Sequence, residues 1–319
     1  MPGLLIVNLG SPESPAPEHV RTFLRDFLSD PDVVDFPRAL WLPILHGIVL
    51  RVRPAKSGAL YEKVWTEEGS PLVVYTRRQR DLLAQALPGW DVRYAMTYTR
   101  PSIAAQLDAF ADAGTTDIRV LPLFPHWAPS STGSIVKQIR QWEESRVHDA
   151  VRPRLRVIGA WPTQPDFIGW HAERLAEALA GAEDAVVVLS YHGVPNREVH
   201  RPQGYRAECE ATTDAIARAL REHGVDCPVY STFQSKFGPG AWLQPATIDT
   251  MSELPGRGVR SVVLATPGFV ADCIETLDEL DVLNREAFER AGGEQFYRVP
   301  PINDHPVFAR IVADLIRNS

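Results

Sequence analysis

The stretch Ala185-Val186-Val187-Val188-Leu189-Ser190-Tyr191-His192-Gly193-Val194-Pro195 decides the fold. Its unbroken apolar run, rich in Val, reads as a strand covered on both faces, and His192-Gly193-Val194-Pro195 reads as the turn that ends it. In open parallel α/β sheets, ligands bind outside the carboxyl ends of the strands, so this turn presents an imidazole to a crevice. A second apolar run, Val262 to Ala265, ends in Thr266-Pro267-Gly268-Phe269-Val270-Ala271-Asp272-Cys273-Ile274-Glu275-Thr276-Leu277 and delivers carboxylates in the same way. One histidine and one acidic cluster, each at a strand end, point to chemistry in which protons and a cation are handled together.

Outward from these runs, short apolar stretches alternate with amphipathic ones almost from end to end, the pattern of βα units closing a parallel sheet. Strands are predicted near residues 4 to 9, 91 to 98, 118 to 123, 155 to 159, 185 to 191, 228 to 232 and 260 to 265. Helices are predicted over 17 to 28, 73 to 86, 102 to 113, 134 to 144, 166 to 180, 205 to 222, 272 to 290 and 305 to 317. A chain of 319 residues fits two domains of ordinary size. The expected division is an α/β domain over 1 to 159, another over 160 to 300, and a last helix in 301 to 319 that returns to the first domain.

The net charge of −7 argues against nucleic acid as a partner. Cys209, Cys227 and Cys273 are too few and too scattered for a disulfide framework or a four-thiolate cluster, so the chain reads as reduced and cytoplasmic. The opening Met1-Pro2-Gly3-Leu4-Leu5 lacks a basic n-region and reads as a first strand, and no run is long enough for a membrane span. No G-x-G-x-x-G follows the first strand, where Asn8-Leu9-Gly10-Ser11-Pro12 stands, and no P-loop, H-E-x-x-H, C-x-x-C or G-x-S-x-G occurs. Residues 39 to 50 form an apolar run broken by Pro43 and Gly47 and followed by Arg51, Arg53 and Lys56. It reads either as a buried helix or as a ridge that rests on a membrane surface or lines the mouth of a greasy site.

His192 has two open readings, a proton acceptor or metal ligand and a loop hydrogen-bonding group. If 272 to 290 is one α-helix, Asp272, Glu275 and Glu279 share a face, while Asp278 and Asp281 point elsewhere and read as a solvated surface favoured by the helix dipole. Phe124-Pro125-His126-Trp127, Trp242 and Phe269 stand at or near other strand ends. Each alone is a packing plug; together they suit a flat apolar ligand. Aromatic walls with a histidine on one side and a carboxylate on the other fit a planar macrocycle that must lose two N–H protons and gain a divalent metal.

With these motifs in order, the chain resembles the ferrochelatases, which insert ferrous iron into a porphyrin. The matching segments are Asn8 to Glu13, Tyr61 to Leu72, Pro122 to Pro125 with Ser131-Thr132-Gly133-Ser134, Ser190 to Pro195, Thr232 to Gly238 with Trp242-Leu243, and Pro267-Gly268-Phe269 with Asp272 and Glu275-Thr276-Leu277. The resemblance implies two Rossmann-like domains, each a parallel sheet flanked by helices as in class II chelatases, with a porphyrin cleft between them. It implies His192 as proton acceptor or iron ligand, Glu275 facing it across the ring, and Asp272 and Glu279 continuing an acidic proton or metal path. Leu9, Trp127, Trp242 and Phe269 are the expected porphyrin contacts, with the 40 to 50 segment as a lip.

Two departures from the family pattern bear on this. Thr97 stands where many relatives carry a basic residue, and Leu283 where some carry a further acid. The animal relatives' cysteine-bearing extension is not matched, so no resident cofactor and no iron–sulfur cluster are expected; ferrous iron (Fe²⁺) is a substrate. Leu9, where coproporphyrin-type relatives tend to carry Tyr, favours protoporphyrin IX. The alternatives are coproporphyrin III, another tetrapyrrole–metal pair, or a non-catalytic porphyrin-binding protein.

Overall fold

Leu4, Leu5, Ile6 and Val7 are fully buried, as befits a strand covered on both faces, and they form the middle of β1 (Gly3–Asn8). In the computed structural model, which describes residues 1–148, 152–182, 184–195, 204–236 and 240–319, this strand lies between β2 (Asp91–Met96) and β3 (Asp117–Pro122). With β4 (Arg154–Val157) they make a parallel sheet in the order β2-β1-β3-β4. A second parallel sheet has the order β6-β5-β7-β8, from β5 (Val186–His192), β6 (Val229–Gln234), β7 (Ser261–Ala265) and β8 (Gln295–Arg298). The fold is thus two four-stranded parallel sheets flanked by helices.

The chain divides into one unit of Met1–Gly159 with Val312–Ser319 and another of Ala160–Ile311. The first holds α1 (Pro17–Leu28), α2 (Arg38–Ile44), α3 (Leu50–Val64), α4 (Pro71–Ala86), α5 (Ile103–Asp112) and α6 (Ser134–Ser145). The second holds α7 (Pro165–Leu179), α8 (Tyr205–Glu222), α9 (Thr247–Glu253) and α10 (Asn284–Arg290). The final helix, α11 (Val307–Arg317), begins in the second unit and ends in the first, where Arg119 donates to Ser319 Oγ at 3.1 Å. The cores follow from the apolar periodicities: Phe110, Ile118 and Ile135 meet in the first unit, Val188, Leu264 and Phe288 in the second.

The structure decides one open reading and corrects others. Residues 38 to 64 are helical, and one row of their apolar side chains is exposed, as the ridge reading has it. Leu40, Ile44, Ile48 and Val52, spaced by four, are 58%, 40%, 61% and 54% exposed, while Trp41, Leu45 and Leu50 turn inward. A π-helical turn over Leu45–Val49, following Pro43 and containing Gly47, joins α2 to α3. The predicted α-helix over 272 to 290 is a π-helix at Glu275–Leu283 followed by α10. Its wider turn redistributes the acids: Asp278 is buried and Asp281 is paired with Arg285 and Arg298, so neither is a solvated charge. Strand β8 and helix α9 were not predicted, being short, with only Phe296 of β8 buried. No helix among the described residues is long and apolar enough to cross a membrane.

Candidate active site

Each sheet reverses its strand order once. After β2 the chain crosses β1 to form β3, and after β6 it crosses β5 to form β7. The switch points therefore lie between β1 and β3 and between β5 and β7, and the carboxyl ends beside them are where such sheets bind ligands. Leu9 and Trp127 follow β1 and β3 in the first unit; His192 and the 266 to 275 segment follow β5 and β7 in the second. Every site residue expected from sequence, Trp242 and Glu279 apart, leaves a strand that borders a switch point.

His192 is exposed at the end of β5. Its Nδ1 lies 2.7 Å from the Gly193 carbonyl, which can only accept, so in the neutral imidazole Nδ1 carries the proton and Nε2 the lone pair. Glycine is required at 193 because a Cβ there would lie 2.6 Å from the Gln234 carbonyl, to which the Gly193 N–H donates at 2.7 Å. The turn is held further by Leu243 N–H donating to the Val194 carbonyl and by a bridge between Pro195 and Trp242. That bridge brings Trp242 against Gly193. The Phe269 ring lies 6.5 Å from the imidazole and is tilted by 53° to it. Beneath the turn, Ser190 donates to Gln234 Oε1 and meets Thr247, which donates to Thr232, a buried hydroxyl chain that ties β5, β6 and α9 together.

The acidic residues separate into distinct environments. Glu275, half-buried, opens the π-helix beside the thiol of Cys273, whose pKa is pushed well up by burial and then by the Glu275 carboxylate. Glu279 accepts from the Ser235 N–H at 2.8 Å and from its hydroxyl, with Ser235 held at φ +63°. Asp272 is buried and accepts from Arg298 at 2.9 Å, Thr276 at 2.7 Å and Asn303 at 2.9 Å. Asp272 is thus neutralised in place rather than stacked with Glu275 and Glu279 on one helix face. Ser235, Arg298 and Asn303 were given no role from sequence. Ser235 sat within a quoted motif, and Phe237, Gly238 and Pro239 of that same region lie outside the described residues.

In the first unit, Leu9 is partly exposed, its N–H capped by Asn8 Oδ1 at 2.8 Å. Thr97 is buried and its hydroxyl donates to the Asn8 carbonyl. Trp127 packs near Gly133 of the Ser131–Ser134 motif, which forms a π-helical turn over Pro129–Gly133. His126 beside it is fully buried, and burial lowers its pKa to about 3, so it is a neutral structural histidine. Among the described residues, no group of three or more His, Cys, Asp or Glu side chains is gathered to hold a metal ion.

The ferrochelatase family model matches residues 1–319. The chain belongs to the ferrochelatase family. It is 44% identical to the ferrochelatase of Alcanivorax borkumensis, covering 99% of this chain and 93% of that one. It is 41% identical to the coproporphyrin III ferrochelatase of Symbiobacterium thermophilum, covering 98% and 97%. Ferrochelatases are porphyrin metal chelatases of the lyase class, so the chain is an enzyme of heme biosynthesis with porphyrin and ferrous iron as substrates. Among solved structures it resembles SirB from Bacillus subtilis with Fe3+, at TM-score 0.55 and 15% identity over 99% of this chain and 94% of that one. The sirohydrochlorin chelatase SirB from Bacillus subtilis subspecies spizizenii in complex with cobalt gives TM-score 0.53 at 13% identity, with the same coverage. These likenesses show the class II chelatase fold.

Proposed function

We propose that this ferrochelatase acts on protoporphyrin IX, exchanging its two pyrrole N–H protons for Fe²⁺ to give protoheme and two protons. The observation that carries the catalytic reading is the His192 tautomer. With Nδ1–H committed to the Gly193 carbonyl, Nε2 is a basic lone pair exposed beside a switch point, suited to take a pyrrole proton or to ligate the incoming iron. Glu275 accepts the second proton or relays it to Glu279 on the same π-helix, while Asp272, its charge met by Arg298, steadies the segment that carries them.

A chelatase differs from a resident metal site in what it asks of the protein. The macrocycle supplies four nitrogen donors, so the chain has only to deliver the ion and remove protons. A single imidazole with one half-buried carboxylate suffices for that.

Trp242 and Phe269 in the second unit, and Leu9, Trp127 and the exposed row Leu40, Ile44, Ile48 and Val52 in the first, are assigned as apolar contacts for the ring. Leu9 supports protoporphyrin IX, whose two vinyl groups suit an apolar lining better than additional propionates would. Relatives of comparable identity bear both names, so coproporphyrin III is the competing substrate. Peripheral membrane contact through the same exposed row is a further part of the proposal, read by flotation with anionic vesicles.

The test of substrate choice is anaerobic turnover with Fe²⁺, comparing kcat/KM for protoporphyrin IX and coproporphyrin III under identical conditions. A higher value for protoporphyrin IX supports the proposal. A higher value for coproporphyrin III overturns the substrate assignment, and porphyrin binding without metal insertion overturns the catalytic one.

A further inference from the structure

A charged cluster in the first unit has no part in the chemistry above. Lys137 Nζ on α6 lies 2.5 Å from Asp30 Oδ1 and 2.5 Å from Asp32 Oδ2. Asp30 is partly buried and also accepts from the Tyr98 hydroxyl at 2.9 Å; that hydroxyl stands 3.0 Å from Ser134 Oγ, at the start of α6. Asp30 in turn caps the Asp32 N–H at 3.0 Å. Burial alone would raise the Asp30 pKa, and the hydrogen bonds from Lys137, the Asp32 N–H and Tyr98 outweigh it, leaving the carboxylate below its usual range.

The position of this cluster gives it a consequence. Asp30 and Asp32 sit where the chain leaves α1 and heads for the exposed apolar row on α2 and α3. Two residues earlier, the Leu28 carbonyl accepts from Trp41 Nε1 at 2.7 Å, and Trp41 is the buried side chain at the root of that row. At the far end, α3 is seated on the start of α1 through Gly58, where a Cβ would lie 2.5 Å from the Pro15 carbonyl. The row from Leu40 to Val52 is therefore slung between two fixed points. One is backbone packing at Gly58; the other is Trp41 on an α1 end that Lys137 ties to α6.

We propose that Lys137 is a positioning residue for the porphyrin-contacting row, acting through Asp30 and Asp32 on the exit of α1. The inference rests on the reading of that row as a porphyrin contact. Releasing the exit leaves Trp41 hanging from a mobile carbonyl, so the row loses its place while His192 and Glu275, in the other unit, keep theirs. Truncating Lys137 then weakens porphyrin capture and spares the insertion step.

The experiment uses the full chain with Lys137→Met, Lys137→Arg and Asp32→Asn. Asp32→Asn is milder, since it leaves the Lys137 to Asp30 bond in place. Two readouts are taken: backbone hydrogen exchange over residues 36 to 53 without porphyrin, and steady-state turnover. Faster exchange in that segment for Lys137→Met, with porphyrin KM raised about tenfold, kcat near wild type and both restored by Lys137→Arg, is the expected result. Asp32→Asn should show a smaller change in the same direction. Unchanged exchange in Lys137→Met and Asp32→Asn overturns the positioning role. Faster exchange with unchanged porphyrin KM overturns the reading of the row as a porphyrin contact, and a fall in kcat at constant KM assigns Lys137 to general stability instead.

Discussion

The Gly193 carbonyl lies 2.7 Å from His192 Nδ1, so the residue after the histidine fixes which of its nitrogens is free. The same glycine donates to Gln234 at 2.7 Å, and any side chain on it would drive into that carbonyl. One residue therefore sets both the tautomer and the direction of the imidazole. Gly193→Ala forces β5 and β6 apart at their carboxyl ends, at a cost of about 1–3 kcal/mol by the usual scale of overpacking. Urea unfolding should show that loss. Turnover should fall further than the folded fraction does, since the histidine is displaced in the molecules that remain folded.

Ser235 binds both oxygens of Glu279 through its N–H and its hydroxyl. Hydrogen bonds to a charged group contribute about 1.5–3 kcal/mol, so Ser235→Ala loosens the carboxylate while leaving the backbone bond. If Glu279 is on the acidic path, the Fe²⁺ concentration dependence shifts and the porphyrin KM does not. Turnover measured over a matrix of both substrate concentrations separates the two.

Asp272 is buried, and its charge is met by Arg298 at 2.9 Å. Arg298→Met leaves that carboxylate without its cation, and breaking a buried pair on one side costs about 3–5 kcal/mol. The expected result is a lowered urea midpoint at pH 7 with little change in porphyrin KM for the folded enzyme. Restoration of much of the stability in the Asp272→Asn/Arg298→Met double variant would confirm that the loss is electrostatic.

His126 is held neutral by burial, its pKa lowered to about 3. Below the unfolded value of about 6.5 the unfolded chain binds a proton that the folded chain does not, so stability falls with decreasing pH down to the folded value, by about 1.4 kcal/mol per unit. His126→Gln should remove one proton from that slope. Unfolding free energies at pH 7, 5 and 4 for the two proteins measure it.

What the sequence made legible follows from how much each element buries. The strands β1, β5 and β7 are apolar along nearly their whole length because they are covered on both faces, and their runs announce themselves. The edge strand β8 buries only Phe296, which leaves no pattern to read. Its loss hid Arg298, and with it the reason Asp272 can be buried. The acidic segment was read with the period of an α-helix. The π-helix over Glu275–Leu283 has a wider turn, and that is why Asp278 goes inward and Asp281 finds two arginines. Residues 39 to 50 left two readings open, core helix or exposed ridge, because composition records apolarity and not direction. His192 stood out because it directly follows a buried strand, with a loop hydrogen bond as its other reading; which ring nitrogen makes that bond needed coordinates.

The most direct test of the central claim is anaerobic insertion of Fe²⁺ into protoporphyrin IX, followed by loss of porphyrin fluorescence, in the wild type and in His192→Ala, with porphyrin affinity measured in parallel. The His192 Nε2 lone pair predicts a fall in kcat of about a hundredfold or more with porphyrin affinity nearly unchanged. Turnover in His192→Ala within about threefold of wild type would contradict it, and the proton acceptor or iron ligand would then have to be another group.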